Sequence, residues 1–284
     1  MHHPAELAIH QYLENAKDSK TEMSDATIDK VCDDIRSALK RQFNRGEKRD
    51  KFRLRMSNVG RPYCQLWYDK NKPDVALPKP TTFVMNMMIG DIVEAVFKAI
   101  LTEAKVKFKD SEQVELKLKD GFTIKGTTDL EINEAIDDVK SASDWSYKHK
   151  FKSFEDLDSM DDFGYVAQLA GYAKATGKEA GGWWVVNKVN GDFKYVKSDI
   201  DIDNEYNKIQ KLSEKIKENK FARCFEPVRE TFYGKETGNT ILSKSCGFCN
   251  YKQDCWKELQ SLPAVKSKAK EPKIVDYVSM VGNV

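Results

Sequence analysis

The residues best suited to chemistry lie in the stretch GTTDLEINEAIDDVKS, positions 126–141. Two strand-like runs, Thr127–Ile132 and Ala135–Lys140, flank Asn133-Glu134, and if those two residues form the turn the stretch is a two-residue hairpin. Ile132 then faces Ala135, and the same register sets Asp129 opposite Asp138, with Cβ atoms roughly 4.5–5.5 Å apart. Side chains alternate along a strand, so Asp138 and Lys140 share a face while Val139 points the other way, into a core. Two carboxylates that close repel each other, and a hard divalent cation such as Mg²⁺ relieves the repulsion. A lysine beside such a cation orients or deprotonates a water, which makes the patch a candidate site for metal-assisted hydrolysis. A hairpin with a solvated charged face has the same residues, so the rest of the chain has to decide between the two.

A second constellation is CGFCNYKQDCW, in which Cys246, Cys249 and Cys255 are separated by two and then five residues. Three clustered cysteines plus a remote one do not match the paired CxxC spacing of a zinc ribbon. Cys64, within RPYCQLWYDK, also sits among aromatics next to a proline and is the best fourth ligand; four thiolates suit a [4Fe–4S] cluster. Cys32 and Cys224 lack such a context and read as free thiols.

Helices and strands must position these groups. Thr81–Ala104 reads as a strong helix with a broad apolar face of Ile89, Ile92, Val93, Val96, Phe97, Ile100 and Leu101. Glu94 stands at the edge of that face, where an acid is either solvated or within reach of a metal site on the neighbouring sheet. Val114, Leu116 and Leu118 alternate, as do Phe122 and Ile124, and with the hairpin they predict an antiparallel meander of three or four strands. Asp161 or Asp162 caps the next helix and Gly177 ends it. Within that helix Gln168 and Tyr172 stand at i and i+4, on one face. The WWVV run reads as a buried strand, Phe193–Val196 continues the sheet, and Asp203–Lys220 is an amphipathic helix. Residues 4–43 read as helical, with Ile28, Val31, Ile35, Leu39 and Phe43 on one apolar stripe.

At 284 residues and 40% hydrophobic content the chain suits one large domain or a domain with appendages. The net charge of +2 places any nucleic-acid surface in a local patch. Between Lys40 and Arg61 nine basic residues, Arg49, Arg53 and Arg55 among them, meet two acidic ones. That run reads either as a solvated loop or as a phosphate-contacting track. No stretch approaches ~18 consecutive apolar residues, so no membrane span is expected. The start, MHHPAELAIH, lacks the basic and apolar regions of a signal peptide, so the expected location is a reducing cytoplasm. The tail beyond Pro263, with Lys266, Lys268, Lys270 and Lys273, reads as mobile.

Taken together, the motifs resemble the iron–sulfur branch of the PD-(D/E)XK nucleases, which includes the CRISPR-associated exonuclease of spacer acquisition and the nuclease domain of AddAB-type helicase–nucleases. The order that carries the resemblance is Cys64, Gly90-x3-Glu94, Gly126-x2-Asp129, Asp138-x-Lys140, Gln168-x3-Tyr172, and then Cys246, Cys249 and Cys255, spanning roughly residues 60–256. Glu94 stands where many cluster-bearing members have His, and Asp138 where Glu is more usual. The resemblance implies an α/β (α+β) fold of restriction-endonuclease type, a mixed sheet flanked by helices, with the cluster joining N- and C-terminal parts. It implies Mg²⁺ or Mn²⁺ held by Asp129, Asp138, Glu94 and the Val139 carbonyl, with Lys140 positioning the attacking water. It implies that Gln168 and Tyr172 orient DNA, and that Cys64, Cys246, Cys249 and Cys255 hold a [4Fe–4S] cluster. The reading is a DNA exonuclease of recombination, repair or phage DNA metabolism that acts on linear DNA with single-stranded ends. A homo-oligomer or a recombination partner is compatible with it, and 5′→3′ or bidirectional action stays open. The rival readings are a structure-specific endonuclease and a silent DNA-binding subunit. The expected organisation is a helical extension over 1–59, a nuclease domain over 60–262 and a flexible basic tail over 263–284.

Overall fold

The computed structural model describes residues 3–44 and 51–281. In chain order these form α1 (Pro4–Lys17), α2 (Asp25–Phe43), α3 (Tyr63–Asn71), α4 (Thr82–Glu103), β1 (Gln113–Lys117), β2 (Thr123–Thr127), β3 (Leu130–Ile132) and β4 (Ala135–Ala142). There follow α5 (Phe154–Ser159), α6 (Tyr165–Thr176), β5 (Glu179–Asn187), β6 (Phe193–Lys197), α7 (Ile202–Glu218), β7 (Val228–Phe232), β8 (Lys235–Ile241), α8 (Lys252–Cys255), β9 (Gln260–Pro263) and β10 (Ile274–Ser279). The α+β class is as expected. The chain divides into two units, Met1–Gly60 with Pro80–Ser213, and Arg61–Lys79 with Glu214–Val284. No helix among the described residues is long and apolar enough to cross a membrane.

The first unit is built on a four-stranded sheet in the order β3-β4-β5-β6. β4 and β5 run parallel, linked through α5 and α6, and the outer pairs are antiparallel. The hairpin has the expected register, with Leu130 opposite Asp137 and Ile132 opposite Ala135. Its turn is Asn133-Glu134, with φ of 52° and 64°, the left-handed pair that matches strand twist. The expected continuous meander does not form. β1 and β2 make a sheet of their own, because the chain leaves the strand at Thr128-Asp129. There the Thr128 N–H donates to the Glu112 carbonyl at 2.9 Å and the Thr128 hydroxyl accepts from the Glu112 N–H at 3.1 Å, anchoring the break.

Leu130, Ile132, Val139 and Trp184 from the sheet pack with Phe97 and Leu101 of α4 and with Ala5 and Ile9 of α1. α1 is therefore not an appendage: it completes the core. α2 corrects the expected apolar stripe. Ile28, Leu39 and Phe43 are exposed, while Thr27, Ala38 and Gln42 are buried. The reason is polar docking onto α4. Gln42 Nε2 donates to Asp91 at 2.9 Å, Arg41 pairs with the same carboxylate at 2.9 Å, and the Ser24 hydroxyl donates to Glu103 at 2.7 Å.

Of the basic run, Arg49 lies outside the described residues. Beyond it Lys51, Arg53 and Arg55 are exposed in alternation with half-buried Phe52 and buried Leu54 and Met56. The segment ends at Gly60, whose backbone abuts that of Gly164 at the start of α6. A Cβ on Gly60 would fall 2.2 Å from the Gly164 Cα, and Gly164 has a φ of +81°.

In the second unit the sheet order is β7-β8-β10-β9. The expected mobile tail is instead β10, hydrogen-bonded to both β8 and β9, with Tyr277 buried and its hydroxyl donating to Glu230 at 2.9 Å. Apolar residues Val275, Tyr277 and Val278 outweigh the preceding lysines and give the segment a face to bury.

Left-handed backbone costs a residue with a Cβ about 1–2 kcal/mol, part of which glycine returns as unfolded-chain entropy. Glu134→Gly is therefore expected to raise stability by about 0.5–1 kcal/mol. Denaturant unfolding checks it; a destabilised variant would show that the Glu134 side chain holds the hairpin through its own contacts.

Candidate active site and cysteine cluster

β4 carries two adjacent buried carboxylates that face opposite ways. Asp137 Oδ1 accepts from the Tyr195 hydroxyl at 2.9 Å and Oδ2 from Trp184 Nε1 at 3.1 Å, so both oxygens are satisfied although burial pushes the group up to about 7. Asp138 is 2% exposed, and among the described residues neither of its oxygens has a hydrogen-bond partner. The Lys140 ammonium lies 2.5 Å from Oδ2. That contact is an ion pair to one oxygen of the carboxylate.

Asp129 closes the other side. It sits just before β3, and its Oδ2 accepts the Val139 N–H at 2.9 Å, the place a strand carbonyl would take one residue further along the hairpin. The N–H and C=O of a strand residue point to the same neighbour. The Val139 carbonyl therefore leaves β4 on the Asp129 side, beyond the end of β3. Burial raises Asp129 above the usual carboxylate range, and the charge of Asp138 adds to it. Asp138 is raised by burial, with Lys140 opposing. Burial works against the Lys140 ammonium, but Asp138 and Asp129 together hold its proton more firmly than in a free lysine.

Glu94 of α4 reaches the same patch. Burial, then the Asp129 charge, raises its carboxyl. Its counter-ion is Lys98, one turn along, 2.7 Å from Glu94 Oε1, 2.7 Å from Ser111 Oγ and 3.0 Å from Asp110 Oδ1. From α6, Gln168 Nε2 donates to the Tyr172 hydroxyl at 3.4 Å. Burial pushes that hydroxyl up to about 12, with Asp129 and Asp138 adding their charge. Gly126 is what admits Tyr172: a Cβ there would fall 2.5 Å from Met56 Cγ and 2.7 Å from Tyr172 Cε1.

The structure adds residues that the sequence reading missed. The Tyr165 ring lies between two ammonium groups, 4.9 Å from Lys140 Nζ and 4.6 Å from Lys150 Nζ. Tyr165 stands three residues before Gln168 on the same helix face, so the spacing that found Gln168 and Tyr172 also contains it. Lys150 is buried on a π-helical turn, Ser146–Lys150, 3.8 Å from Asp161 Oδ1, and nothing in the sequence marks it. Asp161 caps α6 as expected, accepting the N–H groups of Gly164 and Val166 at 2.9 and 2.8 Å.

The structure thus brings together Asp129, Asp138, Lys140, Val139, Glu94, Gln168 and Tyr172. Arg53 and Arg55 lie on the surface of the same unit. No three His, Cys, Asp or Glu side chains among the described residues stand in a ready-made metal cage. The donor chemistry nonetheless fits a hard cation: the Asp138 carboxylate is paired with Lys140 through Oδ2 while Oδ1 has no hydrogen bond, Asp129 stands beside it, and Glu94 and a strand carbonyl stand on the same side.

In the second unit Cys64, Cys246, Cys249 and Cys255 share one neighbourhood, and so does Cys224, which is a free thiol as read from the sequence but does not lack a cysteine context. The Cys64 N–H donates to Cys224 Sγ at 3.0 Å. Hydrogen bonding from Cys64 lowers the Cys224 thiol and raises the Cys64 thiol. Burial raises Cys246, Cys249 and Cys255, that of Cys246 to about 11. Sulfur donors gathered from the two chain segments of this unit fit a thiolate-bound cluster. Cys32 is exposed on α2, apart from the group.

No protein-family model matches the chain. No curated protein matches it either. Among solved structures, one described as "Crystal structure of SSO0001" is similar at 12% identity and a TM-score of 0.43, covering 81% of this chain and 96% of that one.

The site predicts a pH-dependent response to Lys140→Ala. Removing one partner of a buried ion pair typically costs about 3–5 kcal/mol. Carboxyls raised in the fold keep protons that the unfolded chain has released, so stability falls as pH rises from the ordinary carboxylate range through their raised values. Without Lys140 they rise further, and the deficit against wild type is expected to be larger at pH 8 than at pH 5. Urea unfolding at both pH values measures it; an equal deficit would mean that Lys140 acts through packing alone.

Proposed function

We propose that the chain is a metal-dependent DNA exonuclease with a restriction-endonuclease-like catalytic unit. The observation that carries this reading is the buried Asp138 carboxylate with no hydrogen bond, flanked by Asp129, Glu94 and Lys140. The motif order from Cys64 to Cys255 supports the same reading. Asp129, Asp138, Glu94 and the Val139 carbonyl would hold Mg²⁺ or Mn²⁺, which when bound supplies Lewis acidity toward the phosphodiester. Lys140, firmly protonated, places positive charge where a phosphate gathers negative charge and orients the attacking water. Gln168 and Tyr172 offer an amide and a hydroxyl to a strand beside the carboxylates. Exposed Lys51, Arg53 and Arg55 attract the backbone of linear DNA. Cys64, Cys246, Cys249 and Cys255 would hold a [4Fe–4S] cluster that ties residues 61–79 to residues 214–284 within the second unit.

End-labelled linear DNA and closed circular DNA, each with Mg²⁺, test the reading. Degradation of linear DNA only is expected; cleavage of circles would indicate an endonuclease, and no cleavage a silent binding subunit. Asp138→Asn keeps the side chain's shape and is expected to abolish turnover while the domain stays folded. Lys140→Ala is expected to lower turnover by about 10²–10⁴-fold while calorimetric metal binding persists. Wild-type turnover in Asp138→Asn would falsify the assignment.

DNA affinity is expected to fall steeply with salt. Arg53→Ala with Arg55→Ala is expected to reduce the slope of log K against log salt by up to ~0.7–0.9 per lost phosphate contact. Binding titrations in Ca²⁺ at several salt concentrations read it, and an unchanged slope assigns these residues to a solvated surface.

A further inference from the structure

The second unit holds one clustered thiol more than the cysteine spacing anticipates. Cys64 is the second residue of α3, behind Pro62, so its N–H is among those that a helix start leaves without an intrahelical partner. That N–H points at Cys224 Sγ, 3.0 Å away. That contact places the Cys224 sulfur beside the start of α3, next to Cys64.

A second observation fixes Cys224 independently. The preceding residue, Arg223, donates from Nη2 to the Cys255 carbonyl at 2.8 Å, and its guanidinium lies 4.0 Å over the Trp256 ring. The chain carrying Cys224 is thus pinned at one end to the third cysteine of the C-terminal group and held at its sulfur by the helix that carries Cys64. Backbone N–H groups directed at a sulfur are also the contacts that tune cluster ligands.

We infer that Cys224 and Cys64 are alternative ligands for one iron of the cluster, so that five thiols serve four iron positions. The inference rests on the cluster reading above and adds a residue that the 3-plus-1 spacing leaves out. Both sulfurs lie at the start of α3, and Cys246, Cys249 and Cys255 fill the remaining positions. Loss of either Cys64 or Cys224 leaves a thiol in place for the fourth iron, and loss of both leaves none.

The full chain and its Cys64→Ala, Cys224→Ala and double variants, purified anaerobically, test this, with Cys32→Ala as control. Iron and acid-labile sulfide per chain are measured together with the electron paramagnetic resonance spectrum of the reduced protein. Each single variant is expected to retain wild-type iron with a spectrum shifted from wild type and different from the other. The double variant is expected to lose about one iron per chain or the whole cluster, and Cys32→Ala to match wild type. Iron loss in either single variant as large as in the double overturns the inference, as does a Cys224→Ala spectrum identical to wild type. If the double variant does not fold, the two single-variant spectra decide alone. Wild-type protein without iron, or with stoichiometric zinc, overturns the cluster reading itself, a result separate from a cluster that ignores Cys224.

Discussion

A carboxylate taken out of water costs several kcal/mol unless opposing charge and hydrogen bonds stand close, and Asp138 has only half of that compensation. Lys140 supplies charge at Oδ2, but Oδ1 has no hydrogen bond. The arrangement around it follows from this deficit. The chain breaks at Thr128-Asp129 rather than running on into β3, which sets a second carboxylate beside the first. The α4 helix brings Glu94 with its own buried counter-ion, Lys98, so the third acid adds little net charge. Asp137, one residue away, shows the alternative: a buried carboxylate settled by Trp184 and Tyr195 leaves nothing for a ligand to satisfy.

Much of this was legible in the sequence because it depends on local periodicity. Asn133-Glu134 set the hairpin register, and the register placed Asp129 against Asp138. Gln168 and Tyr172 were found from helix spacing, and Asp161 and Gly177 from capping chemistry. What stayed hidden depends on contacts distant in sequence. The stripe of Ile28, Leu39 and Phe43 has ideal helical spacing, yet α2 docks through Ala38 and through polar bonds to Asp91 and Glu103 that no periodicity encodes. Lys150 and Cys224 become visible only once α6 and α3 are in place. The tail departs from expectation for a different reason: lysines at 266, 268, 270 and 273 dominate its composition, whereas three apolar residues further on decide its structure.

The two units solve different problems. The first buries charge inside a sheet closed by α1 and α4. In the second, Leu242, Trp256 and Leu259 form a small cluster that Cys246 and Cys255 border, and the rings of Trp67, Tyr68, Phe221 and Tyr251 pack together. Its sulfur atoms come from segments far apart in sequence, residues 61–79 and 214–284.

The contact between Gly60 and Gly164 has a steric consequence. Gly60 ends the exposed basic segment and Gly164 precedes Tyr165 at the start of α6, so a side chain at either position would have to push apart the backbone that carries the basic residues and the helix that carries Tyr165, Gln168 and Tyr172. Two hydrogen atoms where other residues have a carbon thus set how near the surface arginines stand to that helix.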